Sequence, residues 1–142
     1  MGFFNYIFGD KEEYSPIRIN NPKTDLSRGQ KLSVIGLMCF FRGFCPPSIV
    51  NVEIDDFILR KAEKMGLSMS EVTTFLRKGD DKVLLKNLRT IRDRKFLNEL
   101  YRDCDRINNM SHNNEARDIL KMMYMDIGYS EDDIIDAWLG ED

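Results

Sequence analysis

The residue types best suited to chemistry in this chain are three cysteines and one histidine, namely Cys39, Cys45, Cys104 and His112. Thiolates and imidazoles are the usual ligands of structural zinc, and a Cys–His pair can also supply a nucleophile and its base. None of these residues has a partner at the C-x2-C or C-x4-C spacing that is typical of structural zinc sites. We therefore predict free thiols, no bound metal and no cofactor.

The segment 103–115, DCDRINNMSHNNE, has the acidic start of a calcium-binding loop. Placing Asp103 at position 1 puts Ile107, Asn108 and Asn114 at positions 5, 6 and 12. Such a loop needs an oxygen ligand at position 5, glycine at position 6 and a bidentate glutamate at position 12. We predict instead an ordinary connection between two helices, in which Ser111 caps the second helix.

Motifs of the common enzyme classes are absent from the sequence. It contains no Gly-rich phosphate loop, no Ser-His-Asp order and no paired-histidine metal motif. We therefore predict that the protein is not an enzyme and has no catalytic residues.

Charge is segregated along the chain. Residues 77–95 carry a balance of +5, and residues 130–142 carry a balance of −6. Four basic residues are predicted to share one helical stripe: Lys78, Lys82, Lys86 and Arg89. The stripe could face phosphate or nucleic acid, dock an acidic partner, or simply be solvated. A net charge of −3 and the lack of interleaved aromatic residues disfavour nucleic acid.

Methionines cluster near the C-terminus, at Met110, Met122, Met123 and Met125. They could form an adaptable partner groove or fill a core, and we expect Met122 and Met123 to fill the core. Tyr124 and Met125 lie off the apolar stripe of that helix, so they are the better candidates for an interface.

These residues belong to a chain whose apolar spacing is helical from Leu26 to Leu139. With 142 residues, of which 42% are hydrophobic and 32% charged, the composition is that of one globular domain. We predict an all-α fold of about seven helices, spanning residues 26–142 and packed as one bundle. The longest apolar run, residues 32–44, is too short to span a bilayer.

Residues 1–25 are predicted to form an arm that precedes the helical domain. Four apolar residues near its start have helical spacing, at Phe3, Phe4, Ile7 and Phe8. They could pack on the domain, dock on a partner or lie on a membrane, although a strong lipid binder would carry a Lys/Arg-rich face. No export signal is visible, so we expect a cytoplasmic protein.

The helical region also repeats itself at an interval of 62 residues. Four residues recur at that interval: Glu53, Asp56, Gly66 and Ser68 match Glu115, Asp118, Gly128 and Ser130. In each copy the glycine is predicted to end one helix and the serine to cap the next. Because a helix–Gly–helix unit cannot bury its own apolar stripe, we expect the two copies to pack together.

The repeated blocks are VNVEIDDFILRKAEKMGLSMSEV (50–72) and NNMSHNNEARDILKMMYMDIGYSEDDI (108–134). This pattern resembles the tellurite-resistance TerB-like all-helical domain. The resemblance implies a helical scaffold linked to stress response or phage defence that acts through protein contacts. Each TerB repeat typically carries an Asp-Gly before the glutamate, and neither copy retains it here. Neutral amides replace carboxylates poorly at a hard cation, so the family's metal role is not carried over.

We therefore expect a non-enzymatic interaction or scaffold domain. Its partner would be a protein that the sequence does not identify, or a second copy of the chain. Peripheral association with a membrane or a nucleic acid, and metal-dependent stress response, remain alternatives.

Overall fold

The computed structural model describes residues 26–45, 50–78 and 81–140, and the predicted arm at residues 1–25 lies outside them. Within these ranges the chain forms seven helices and no strand, which confirms the predicted all-α fold. In chain order the helices are α1 (Arg28–Arg42), α2 (Val50–Lys64), α3 (Met69–Lys78), α4 (Asp81–Arg89), α5 (Arg94–Met110), α6 (Asn114–Asp126) and α7 (Glu131–Leu139).

Helix α1 is the centre of the bundle. Ser27 and Gln30 form a capping box that starts the helix, and every residue from Leu32 to Cys39 is buried. Helices α2, α3, α4 and α5 all pack against it. At Gly36 an added Cβ would lie 3.2 Å from a methyl carbon of Leu84 and 3.3 Å from one of Leu76. Glycine therefore permits the close approach of α3 and α4.

Helix α5 is the centre of the second half. Helices α6 and α7 pack on α5, as α2 and α3 pack on α1, and α5 itself packs against α1. Asp93 caps α5 by accepting a hydrogen bond from the backbone N–H of Phe96 at 3.1 Å. The expectation that the two copies pack directly together is therefore wrong, because each repeat packs on its own central helix and the two halves meet mainly where α1 packs against α5.

The turn that follows the first helix of each repeat has the same construction. Gly66 and Gly128 have φ angles of 73° and 115°, in the left-handed region that favours glycine. In each turn the N–H after the glycine donates to a carbonyl five residues back, from Leu67 to Ala62 and from Tyr129 to Tyr124.

The next helix in each repeat begins with a capping box. Ser68 pairs with Glu71, and Ser130 pairs with Asp133, each through reciprocal side-chain and backbone hydrogen bonds. The predicted glycine stops and serine caps are therefore confirmed.

Matched positions of the two repeats are buried together, but the side chains differ in size. The buried pairs are Ile54 and Ala116, Ile58 and Leu120, Ala62 and Tyr124, Leu67 and Tyr129, and Val72 and Ile134. In the pair Ile54 and Ala116 the first repeat carries the larger side chain, whereas in the pair Ala62 and Tyr124 the second repeat carries it. Each repeat therefore fills its core in its own way.

The prediction that Ser111 caps a helix is wrong. Helix α5 continues through Met110, and the Ser111 hydroxyl donates to the carbonyl of Asn108 in the preceding helix. Asn113 is the cap of α6, since its side chain accepts from the N–H of Ala116 at 2.9 Å. Between them His112 has a φ of 55°, so a histidine occupies the position that glycine holds in the other two turns.

These turns predict opposite effects for two substitutions. Gly128→Ala should destabilise the protein by about 1 kcal/mol, because an alanine is forced into the left-handed region. An added Cβ at this position meets nothing within 4 Å, so the backbone alone carries the cost. His112→Gly should stabilise by about 0.5 kcal/mol, because it relieves the same strain. Urea unfolding measures both, and a loss of stability in His112→Gly would contradict the account.

Candidate functional site

A cleft of about 390 Å³ opens between α5, α6 and α7, and we call it the C-terminal cleft. Ligand pockets in proteins usually have volumes of about 300–1,000 Å³. Its apolar wall is formed by Ile134, Ile135 and Trp138 of α7. Its polar wall comes from Tyr101 and Asp105 of α5, and from Asn114, Arg117, Asp118 and Lys121 of α6.

The apolar wall continues onto the surface of the protein. Ile135, Trp138 and Leu139 are 52%, 54% and 57% exposed, and we call these three residues the α7 apolar face. Their spacing of i, i+3 and i+4 places them on one side of the helix, next to the buried residues Ile134 and Ala137. The other helices therefore bury only part of the apolar surface of α7.

The polar wall is held by an ion pair. The Arg117 Nε donates to Asp105 Oδ1 at 3.0 Å, which links α6 to α5. Tyr101 lies beside this pair. Burial, reinforced by the charge of Asp105, raises the pKa of Tyr101 to about 12. Its phenol therefore stays neutral even in alkaline solution and can donate or accept a hydrogen bond.

The two cysteines of the core do not line the C-terminal cleft. The thiols of Cys39 and Cys104 are buried, and burial raises the pKa of each, which makes both poor nucleophiles. In the described ranges, no group of three or more His, Cys, Asp or Glu side chains is placed to hold a metal ion.

Tyr124 and Met125 were predicted to share an interface, but the structure separates them. Met125 is 48% exposed and lies four residues after Lys121, on the side of α6 that lines the cleft. Tyr124 is 1% exposed, and its hydroxyl donates to the carbonyl of Leu97 at 2.6 Å. The prediction for Tyr124 is wrong, because one residue turns a helix by about 100° and carries this side chain into the core.

The expectation that Met122 fills the core is also wrong. Met122 is 68% exposed, whereas Met123 is partly buried and packs against the core as expected. Met122 and Met125 both leave soft apolar side chains on the surface of α6.

The basic residues do not form one stripe. Lys78 ends α3, while Lys82, Lys86 and Arg89 lie on α4, opposite its buried leucines. Arg89 is engaged, because its guanidinium donates to the carbonyl of Asp126 at 3.0 Å and pairs with its carboxylate at 3.3 Å. These residues do not line the C-terminal cleft.

A contact joins the basic stretch to the acidic C-terminal helix. Arg94 lies 3.6 Å from the carboxylate of Asp133, and its guanidinium stacks 4.1 Å from the ring centre of Tyr129. The hydrogen bonds that Asp133 accepts from Ser130 lower the pKa of its carboxyl, with a smaller contribution from Arg94. Part of the charge segregation therefore serves the fold.

Sequence reasoning missed the α7 apolar face. The signal was present, since Ile134, Ile135, Ala137, Trp138 and Leu139 give a nine-residue helix an apolar arc on two sides. Such an arc exceeds what one neighbouring helix can bury.

Comparisons with protein-family models, curated proteins and solved structures gave no match to this chain. Among its described helices, none is long and apolar enough to cross a membrane.

Replacing Tyr124 or its neighbour Met125 with alanine should show by the change in stability which of the two side chains belongs to the core. Tyr124→Ala should cost about 3–5 kcal/mol of unfolding free energy, because it empties a buried aromatic site. Met125→Ala should change stability by less than about 0.5 kcal/mol, because this side chain is half exposed. Urea unfolding of both variants tests the assignment, and equal effects would contradict it.

Outside the cleft, a partly buried cluster of charges joins α2 to α5. Lys61 Nζ of α2 lies 2.9 Å from Glu99 Oε1 and 3.0 Å from Asp103 Oδ2, both on α5. Burial raises the pKa of Asp103, and Lys61 opposes the shift without cancelling it. Burial acts to lower the pKa of Lys61, but the two carboxylates outweigh it and leave that pKa raised.

The raised pKa of Asp103 sets the sign of a pH effect. The contribution of the Asp103 carboxyl to the free energy of unfolding is fully present below its ordinary pKa of 3.8. That contribution is lost as the pH rises through the raised pKa of the folded protein. The stability of the natural chain relative to Asp103→Asn should therefore fall as the pH rises above 3.8, over the range in which the Asp103 carboxyl ionises. Urea unfolding of both proteins across this range checks the effect, and a difference that grows with pH would refute it.

Proposed function

We propose that this protein is a non-enzymatic interaction domain that binds a partner protein through the C-terminal cleft and the α7 apolar face. The observation that carries the proposal is the exposure of three large apolar side chains beside a cleft. Contiguous apolar surface next to a concave site is typical of protein-binding surfaces. Met125 extends this surface along α6.

The chemistry of the surface defines the partner. The apolar wall suits an aromatic or branched aliphatic side chain, while Lys121 and the Arg117–Asp105 pair offer polar contacts at the rim. The α7 apolar face presents on the order of a few hundred Å², whereas a standard interface buries about 800 Å² on each partner. A short amphipathic segment of the partner is therefore the best fit.

We also propose that the fold is TerB-like and that its role lies in stress response or defence. The repeated Gly66 and Gly128 turns, each followed by a serine capping box, support the family assignment. The free cysteines Cys39 and Cys104, buried in the core, fit a reducing compartment and thus a cytoplasmic location.

Site-specific photocrosslinking in the native cell tests the interaction. Benzoylphenylalanine in place of Trp138 should give a discrete adduct with a different protein, at least about tenfold stronger than the same probe in place of Val52. Val52 is a matched control because it is 69% exposed and lies on α2, in the other repeat.

Two further variants sharpen this test. Ile135→Glu should remove the adduct from position 138, and the pair Lys82→Glu with Lys86→Glu should preserve it. Equal adducts from positions 138 and 52 would refute the proposal. Loss of the adduct in the lysine pair would move the binding surface to α4.

A further inference from the structure

One apolar surface of the structure and one apolar run of the sequence have no assigned partner. One is the α7 apolar face with the adjoining cleft. The other is a run near the start of the sequence, Phe3, Phe4, Ile7 and Phe8, whose spacing predicts one apolar side of a short helix. Both would otherwise place large apolar side chains in water.

We propose that residues 3–8 bind in cis to the α7 apolar face and place an aromatic side chain in the C-terminal cleft. The inference rests on the proposed function, because it assigns the ligand that this surface holds in the free chain. An outside partner would then have to present a similar segment and displace residues 3–8.

The chain is long enough for this contact. The described domain begins at Leu26, so 17 residues (9–25), which we call the tether, separate the segment from it in the sequence. Extended chain spans about 3.3–3.6 Å per residue, which gives a reach of about 55–60 Å. A domain of this size has a diameter on the order of 35 Å, so the tether reaches any part of its surface.

The tether also lowers the affinity that the contact requires. Covalent connection through a short linker gives an effective concentration in the millimolar range, so a weak contact suffices in cis. A second copy lacks this advantage and would need an interface of about 800 Å² on each side. The size of the α7 apolar face therefore favours the short segment of the same chain.

Charge is compatible with this occupant. Residues 1–9 contain no charged side chain, so the segment buries no charge against the acidic residues Glu131, Asp132 and Asp136 of α7. The same neutrality disfavours anionic lipid as the target of the segment, because stable membrane binding usually adds basic residues to apolar ones.

Trp138 is the single tryptophan of the chain, so its fluorescence reports on this surface alone. The triple variant Phe4→Ser, Ile7→Ser and Phe8→Ser should shift its emission to longer wavelength and raise acrylamide quenching about twofold, because a covered indole becomes wet. The control variant Ile17→Ser with Ile19→Ser changes two apolar residues in the tether and should leave both signals unchanged. Circular dichroism of each variant confirms that the helical domain remains folded.

The outcomes separate this inference from the proposed function. Unchanged Trp138 fluorescence in the folded triple variant overturns the inference, while a Trp138-specific adduct in cells still supports the interaction domain. If Trp138 is protected from acrylamide only at high protein concentration and sedimentation detects dimers, the inference is overturned in favour of a second copy. Protection that develops only when anionic vesicles are added overturns it in favour of a membrane.

Discussion

The burial of α1 is the constraint on which the other helices depend. A helix that is apolar from Leu32 to Cys39 has no side to offer to water, so four neighbours must enclose it. Gly36 lets two of those neighbours approach closely, because it places no side chain between Leu76 and Leu84. Arg42, at the end of α1, is a buried charged residue. Its guanidinium donates to the carboxylate of Asp55 of α2, and this ion pair compensates the buried charge.

Most of the helices could be predicted because residues at the helix ends themselves determine where each helix begins and ends. Glycines in the left-handed region and serines in capping boxes fix the turns without help from distant contacts. The same reasoning failed at Ser111, where two caps compete over three residues and the packing of α5 decides between them. The prediction of one basic stripe also failed, because Lys78 ends α3 whereas Lys82, Lys86 and Arg89 lie on α4, and stripe spacing holds only within a single helix.

The candidate site was less predictable than the fold. Its polar wall joins Asp105 of α5 to Arg117 of α6, and the way two helices pack is not encoded in the spacing within either one. Tyr124 shows the same limit, because its place in the core depends on its edge-to-face contacts with Tyr101 and Tyr129. The α7 apolar face was predictable in principle, since its arc can be read from nine consecutive residues.

The exchange of small and large side chains between the repeats has a consequence for assembly. Ala62 and Tyr124 hold matching positions in two similar frames, so neither unit can take the place of the other without a void or a clash. Repeat proteins lengthen by stacking interchangeable modules, and this pair is not interchangeable. The two repeats therefore form a pair with a defined order, in which the C-terminal cleft is lined by the helices of the second repeat and by α5.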